Sequence, residues 1–305
     1  MNLQKELGDK IQRIEKVFDL NSVLAEKIDK NYIKRYYTTN KIPYSIFHNN
    51  LGLLHMGITR KGNFTQDDLY EQAKIIDRQI KKIKAKKILE LASGRGGNSA
   101  YLAKINPLST FEGIDITPVH INLSKKRFSH LKNCSYSLGD FHNLKKYSKN
   151  SFDIIFIIEA LCHTQNRKKV LCEAYRILKP KGLMIIFDGY LDSSKITSKN
   201  IRLSYKLIAR GTALEKFSSY EEIINASKKS GFKIKENKDL SPRILPTLQK
   251  FERLSSIYYQ FPNLAKLINN FFPKKFVYNT LYGYLTPTLI KMRLATYRLT
   301  ILQKS

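Results

Sequence analysis

Apolar residues recur along this chain in two rhythms. Ile11, Ile14, Val17 and Phe18 stand at helical spacing between charged neighbours, so the first forty residues read as helix. From Asn31 the chain turns aromatic, with Tyr32, Tyr36, Tyr37, Tyr44 and Phe47, broken by Pro43. A loop-rich stretch from Asn49 to Asn63 follows, and Thr65 is suited to N-cap a helix running to about Lys82. Strand and helix patterns then alternate. Lys87 to Leu91 is a short apolar run ending in the glycine-rich Gly94-Arg95-Gly96-Gly97, and a helix follows through Ala100 to Ile105. Thr110 to Asp115 reads as a second strand, and Thr117-Pro118 opens a helix with proline at its first position. Cys134 to Leu138 is a third strand. Phe152 to Ile158 is a fourth, apolar on both faces as a central parallel strand should be. A helix from Arg167 to Leu178 closes at Lys179-Pro180-Lys181-Gly182, and Leu183 to Phe187 is a fifth strand.

The last third departs from this alternation. Ser218-Ser219-Tyr220-Glu221-Glu222 is a capping box for a helix that stops at Gly231, and Phe232 to Glu236 is a sixth strand. Residues 240–292 read as inserted helices rich in Phe and Tyr, and Tyr297 to Leu302 alternates as a final strand. The whole predicts an α/β, doubly wound sheet with a helical cap. The expected divisions are an N-terminal helical and lid segment (1–64), a ligand-binding α/β core (65–239), a cap insertion (240–292) and a last core strand (293–305).

Charge raises a second question. The 305 residues carry 54 Lys+Arg against 25 Asp+Glu, a formal net charge of +29. Clustered cations suit nucleic-acid phosphates or anionic membranes. Lysine outnumbers arginine by 40 to 14, however, and is spread along the whole chain, which fits a compositional bias better than a dedicated polyanion surface. Three cysteines without a Cys-x-x-Cys pair argue for reduced thiols, no metal site and a cytoplasmic location. No run approaches the roughly 20 apolar residues of a membrane span.

The glycine-rich turn is where chemistry begins. Glycines let backbone approach a ligand, and the helix start behind them offers free N–H groups. Asp115, 21 positions after Gly94, ends the second strand, where a carboxylate can accept both hydroxyls of a ribose. That pair alone fits nicotinamide and adenosylmethionine enzymes equally. Gly139-Asp140-Phe141 after the third strand, Asn150-Ser151-Phe152-Asp153 opening the fourth, and Arg176-Ile177-Leu178-Lys179-Pro180-Lys181-Gly182 before the fifth narrow the choice. Together these residues resemble the class I S-adenosylmethionine-dependent methyltransferases. The resemblance implies a Rossmann-like seven-stranded sheet and S-adenosyl-L-methionine as cofactor, held by Glu90, Ala92, Gly94, Gly96, Asn98, Asp115, Ile116, Asp140 and Phe141.

A narrower resemblance, from Phe47-His48 to Gly189 and including Glu159-Ala160-Leu161-Cys162-His163, is to the sterol and tocopherol methyltransferase group. It implies a hydrophobic small-molecule or lipid-like acceptor. The absence of Trp, Ala92 in place of the first glycine, and Asp115 in place of an Asn depart from the sterol enzymes and speak against sterol itself. Four residues apart after the fourth strand, Glu159 and His163 are the candidate catalytic groups. His163 would serve as base for a hydroxyl, and Glu159 would stabilise a cation formed from an alkene. Tyr44, Phe47, His48 and His55 are candidate acceptor contacts. An RNA-directed methyltransferase or basic nucleic-acid-binding protein of the same fold is the rival reading. The missing Pro-Cys, Asp-Pro-Pro-Tyr and Asn-Pro-Pro-Tyr signatures make nucleic acid a poor acceptor. Attraction to anionic membranes is the further partner that the charge suggests. Oligomeric state has no signature here.

Overall fold

A computed structural model describes residues 2–39 and 51–305. Three short helices open the chain: α1 (Leu3–Glu15), α2 (Leu20–Ala25) and α3 (Lys30–Thr39). The continuous helical pattern breaks at Asp19, whose carboxylate accepts the Asn21 and Ser22 N–H groups and starts a new helix. A 3-10 turn over Gln66–Tyr70 precedes α4 (Glu71–Ile83), so the helix expected from Thr65 begins one tight turn late.

The centre is a sheet of β1 (Lys87–Leu91), β2 (Thr110–Asp115), β3 (Cys134–Leu138), β4 (Phe152–Ile158), β5 (Leu178–Leu191), β6 (Phe232–Asp239) and β7 (Ala295–Lys304). The spatial order is β3-β2-β1-β4-β5-β7-β6. β1 to β5 are parallel, and β7 lies antiparallel between β5 and β6. The expected doubly wound, seven-stranded α/β sheet is present. β5 extends beyond the expected Leu183–Phe187 at both ends, with a register shift opposite Phe152 and Ile154 where Lys179 to Gly182 loop out.

β4 shows why the sheet carries helices on both faces. Ile154, Phe156 and Ile158 belong to one hydrophobic core, while Ile155 and Ile157 belong to the other. Period-two alternation sends successive side chains to opposite faces, and both faces here need cover. The connecting helices supply it: α5 (Gly97–Ile105), α6 (Pro118–Arg127), α7 (Arg167–Ile177), α8 (Lys199–Gly211) and α9 (Tyr220–Lys229).

Between β6 and β7 come α10 (Ser241–Gln260), α11 (Pro262–Phe271), the single turn α12 (Lys274–Val277) and α13 (Asn279–Lys291). α13 packs on α10, α8 and α1, so the N-terminal helix and the inserted helices share one core. Lys10 lies in that seam, 7% exposed, with its ammonium 2.8 Å from Thr288 Oγ1 and 3.1 Å from Glu6, and also paired with Glu252. α8 carried no sequence expectation. Its Gly211 packs against the start of α13: a Cβ there would stand 2.7 Å from the carbonyl oxygen of Tyr278, the residue that caps that helix.

Candidate active site

The turn after β1 bends three times into the left-handed region, at Ala92 (φ +54°), Gly94 (φ +54°) and Gly96 (φ +80°). A Cβ on Gly96 would lie 2.6 Å from the Tyr136 ring, so this glycine is required for contact as well as for conformation. Ala92 is the exception, tolerating a left-handed backbone with the smallest side chain that has a Cβ. Behind the turn, Glu90 is 2% exposed and accepts the Ser99 hydroxyl (2.5 Å), the Ser99 N–H (3.2 Å) and the Asn98 amide (3.3 Å). Burial pushes the Glu90 carboxyl up to about 7.

Asp115, at the end of β2, accepts the Gly94 N–H (2.9 Å) and the Thr117 N–H (2.8 Å). Burial alone would raise its pKa, but His120, 3.7 Å away, and these two donors hold it below the ordinary carboxylate value. The Asp115 bond to Gly94 ties the second strand to the glycine turn. Ala92, Gly94, Asp115, Ile116, Asp140 and Phe141 all line one cavity of about 460 Å³ at the carboxyl edge of the sheet. Glu90, Gly96 and Asn98 do not reach it; they hold the turn from behind.

Glu159 and His163 stand at the far end of that cavity. Glu159 leaves β4 with φ +50°, and a 3-10 turn over Leu161–His163 brings the imidazole round beside it. Glu159 Oε1 accepts the Met56 N–H at 2.8 Å; burial raises its carboxyl to about 8. Burial lowers His163 to about 4, and its Nε2 lies 3.0 Å from the Tyr37 hydroxyl. A second cavity of about 520 Å³ begins here, with Tyr36, Phe217, Phe251, Tyr258, Phe276 and Tyr282 on its wall. The two cavities share Tyr37, Leu54, Glu159, Cys162, His163 and Leu214.

A chamber at the carboxyl edge joined to an aromatic chamber through a carboxylic acid is a donor–acceptor arrangement. Residues 89–186 match the family model described as a methyltransferase domain. These residues form a methyltransferase domain.

Relatives agree with that placement. The chain is 27% identical over 265 residues to 24-methylenesterol C-methyltransferase 2 of Arabidopsis thaliana, covering 77% of this chain and 72% of the relative. It is 27% identical to the phthiotriol/phenolphthiotriol dimycocerosates methyltransferase of Mycobacterium leprae, covering 61% of this chain and 66%, just under two thirds, of that protein. Among solved structures, the cyclopropane synthase MmaA2 from Mycobacterium tuberculosis superposes with a TM-score of 0.71 at 16% identity, covering 89% of this chain and 97% of that one.

The cofactor of such a methyltransferase is cationic, and the first cavity suits it. Its wall carries the carboxylates Asp29, Asp115, Asp140, Glu159 and Glu215 against one lysine, Lys169, in a chain of net charge +29. Gly94 lines the cavity and adds no side chain to it.

Of the acceptor residues expected from sequence, Tyr44, Phe47 and His48 lie outside the described residues. His55 is described, and the expectation for it needs correcting: it lines neither cavity. Its ring is 3% exposed, with Nε2 3.2 Å from Asn98 Oδ1 and Nδ1 3.1 Å from the Met56 carbonyl, so it braces the glycine turn. Tyr37, Phe217 and Asp188 line the second cavity without having been singled out as acceptor contacts. Asp188 accepts the Cys162 N–H at 2.9 Å and fixes the turn that carries His163. Nothing local in sequence marks Asp188 or Phe217. Tyr37 lies in the aromatic run from Asn31, inside the segment expected to form a lid, and nothing in the run says which ring reaches the cavity.

Proposed function

We propose that the chain methylates a hydrophobic or lipid-like acceptor held in the aromatic cavity. One observation carries the reading: the carboxylate-lined cavity and the aromatic cavity meet at Glu159 and His163. When bound, S-adenosylmethionine supplies an electrophilic methyl group on a positively charged sulfur. In this reading Asp115 accepts the ribose hydroxyls, Asp140 and Phe141 flank the adenine, and the turn at Gly94 takes the methionine end. The protein's share of the rate is alignment, and good alignment is worth effective molarities of about 10⁵ M or more.

An unsaturated carbon is the acceptor this site favours. Methyl addition to an alkene forms a carbon–carbon bond as the carbon–sulfur bond breaks, the bonding pair leaving with sulfur. Positive charge then resides on the acceptor until a neighbouring C–H proton is lost. Glu159, as a carboxylate, faces that charge and can accept the proton, and the aromatic side chains of Tyr37 and Phe217 line the same cavity. His163 is a weak base for a hydroxyl acceptor, because burial keeps its pKa near 4. The Tyr37–His163 hydrogen bond favours the second reading, O-methylation, in which the imidazole takes the hydroxyl proton.

The named relatives act on sterols and mycobacterial lipids, which supports an apolar acceptor over RNA. We read the lysine excess as a pull toward anionic membranes, where such acceptors reside. Among the described residues no helix is long and apolar enough to cross a membrane. Incubating the protein with methyl-labelled cofactor and a total cell extract tests the function. Label is expected in the lipid phase, and to vanish with Glu159→Gln. Label recovered in RNA instead would overturn the proposal.

A further inference from the structure

Among the described residues eleven large hydrophobic side chains are exposed, and seven of them fall between residues 254 and 272. The clustering is not random. Leu254 and Ile257 on α10 and Phe261 at its C-cap fall at i, i+3 and i+7, and on α11 Leu264, Leu267 and Phe271 repeat at the same spacing. Each trio therefore forms a stripe along one side of its helix. Their exposures run from 45% at Leu254 to 77% at Phe271, although helices in a folded protein ordinarily turn such stripes inward. The inner side of α11 is already committed, with Ala265 1% exposed. These helices thus have apolar residues on both sides.

We propose that the outward stripes of α10 and α11 form a docking face for an anionic lipid bilayer, set at the mouth of the acceptor cavity. Two observations select this occupant. First, the face is continuous with the aromatic cavity: Leu254 lines the cavity and belongs to the outward stripe, and Ile268 of α11 and Phe272 at its C-cap carry on the cavity wall. An acceptor leaving a bilayer at this point enters the cavity without crossing water. Second, the charge around it has one sign. Residues 240–292 contain Lys250, Arg253, Lys266, Lys274 and other cations but a single acidic residue, Glu252, which is paired with Lys10. Apolar side chains at the centre with cations around them match the acyl layer and the anionic headgroups of a membrane surface. A soluble protein partner would have no need of the opening to the cavity.

The choice of a bilayer rests on the apolar-acceptor reading, yet binding is measured without turnover, so the two fail separately. The full chain is mixed with phosphatidylcholine vesicles, with or without about a quarter phosphatidylserine, and sedimented. Binding is expected to the anionic vesicles and to weaken with salt. The combined variant Leu264→Ser, Leu267→Ser and Phe271→Ser removes only side chains outside both cavities. It should lower vesicle affinity by about tenfold or more while leaving cofactor binding intact.

A direct probe is available because the chain contains no tryptophan. In Phe271→Trp, indole emission should shift to the blue when anionic vesicles are added. Unchanged emission, or a triple variant that sediments like the parent, would sink the proposal. So would a parent that ignores vesicles but forms a dimer that the triple variant dissolves, since the face would then join two copies of the chain. Loss of cofactor binding by the parent itself, with vesicle binding preserved, would overturn the methyltransferase reading and leave the docking face standing.

Discussion

The hydroxyl of Tyr37 lies 3.0 Å from Nε2 of His163, joining a helix from the N-terminal segment to the turn after the central strand. Both residues line both cavities, so the bond lies at their junction. If carbon is the acceptor, its role is to shape the wall. Tyr37→Phe should then raise KM with little change in kcat, and His163→Ala should cost less than about tenfold in kcat. A loss of about 10² or more on His163→Ala, rising with pH, would instead assign the imidazole as base to a hydroxyl acceptor. Steady-state kinetics on the identified acceptor decide between them.

Glu159 gives a pH signature. The folded protein keeps this carboxyl protonated up to about pH 8, whereas an unfolded chain releases the proton near 4.5. Its contribution to stability is therefore full below about pH 4.5, falls as pH rises, and levels above about pH 8. The loss across that window is on the order of 5 kcal/mol. Glu90 and Asp188, raised by burial to about 7 and about 6, act in the same sense. Glu159→Gln should flatten the upper part of the decline, and denaturant unfolding at pH 6 and pH 8.5 measures it.

The same carboxyl should separate cofactor from product. A sulfonium favours the ionised form of Glu159, so binding expels a proton at neutral pH. Affinity for S-adenosylmethionine should rise with pH by up to about tenfold per unit until about pH 8. The neutral thioether product should show little such dependence. Calorimetric titration in buffers of different ionisation enthalpy counts the protons, and equal slopes for the two ligands would refute the assignment.

Asp115 holds the Gly94 and Thr117 N–H groups as well as facing the cavity. Asp115→Ala orphans both donors and removes the ribose contact, so cofactor affinity should fall by about a hundredfold or more. Asp115→Asn keeps one carbonyl acceptor and should be intermediate. Isothermal titration with the product thioether reads the series without turnover.

Lys10 is the stability test far from the chemistry. Lys10→Ala leaves Glu6, Glu252 and Thr288 with an uncompensated, largely buried site and should cost about 2–3 kcal/mol by denaturant melts. Because α1, α10 and α13 meet at this lysine, its loss should also weaken acceptor binding more than cofactor binding. Equal loss of both would show that the helices move as one with the sheet.

The sheet was legible because its code is local. Alternation in β4, the glycine turn before α5 and the Leu-Lys-Pro-Lys-Gly loop before β5 each depend on neighbours within a few positions, so strand bounds for β1 to β4 follow from pattern. The cofactor residues were legible for the same reason, since a ligand at the carboxyl edge draws on the residue that ends each strand. Even there, sequence could not separate Asp115, which faces the cavity, from Glu90, which supports the turn. Both are acids beside the same glycines, and only the direction of the side chain distinguishes them.

Tertiary structure decided the acceptor side. Tyr37, Phe217, Phe251 and Tyr282 come from four separate stretches of chain, and no spacing rule connects them before α13 packs on α1 and α10. It decided the acid–base roles too: Glu159 rises and His163 falls because each is dry, and burial is a property of the assembled fold. The outward stripes of α10 and α11 make the same point. Their period is plain in sequence, but an i, i+3, i+7 pattern predicts a buried face. Only packing reveals that the other side of α11 was already taken.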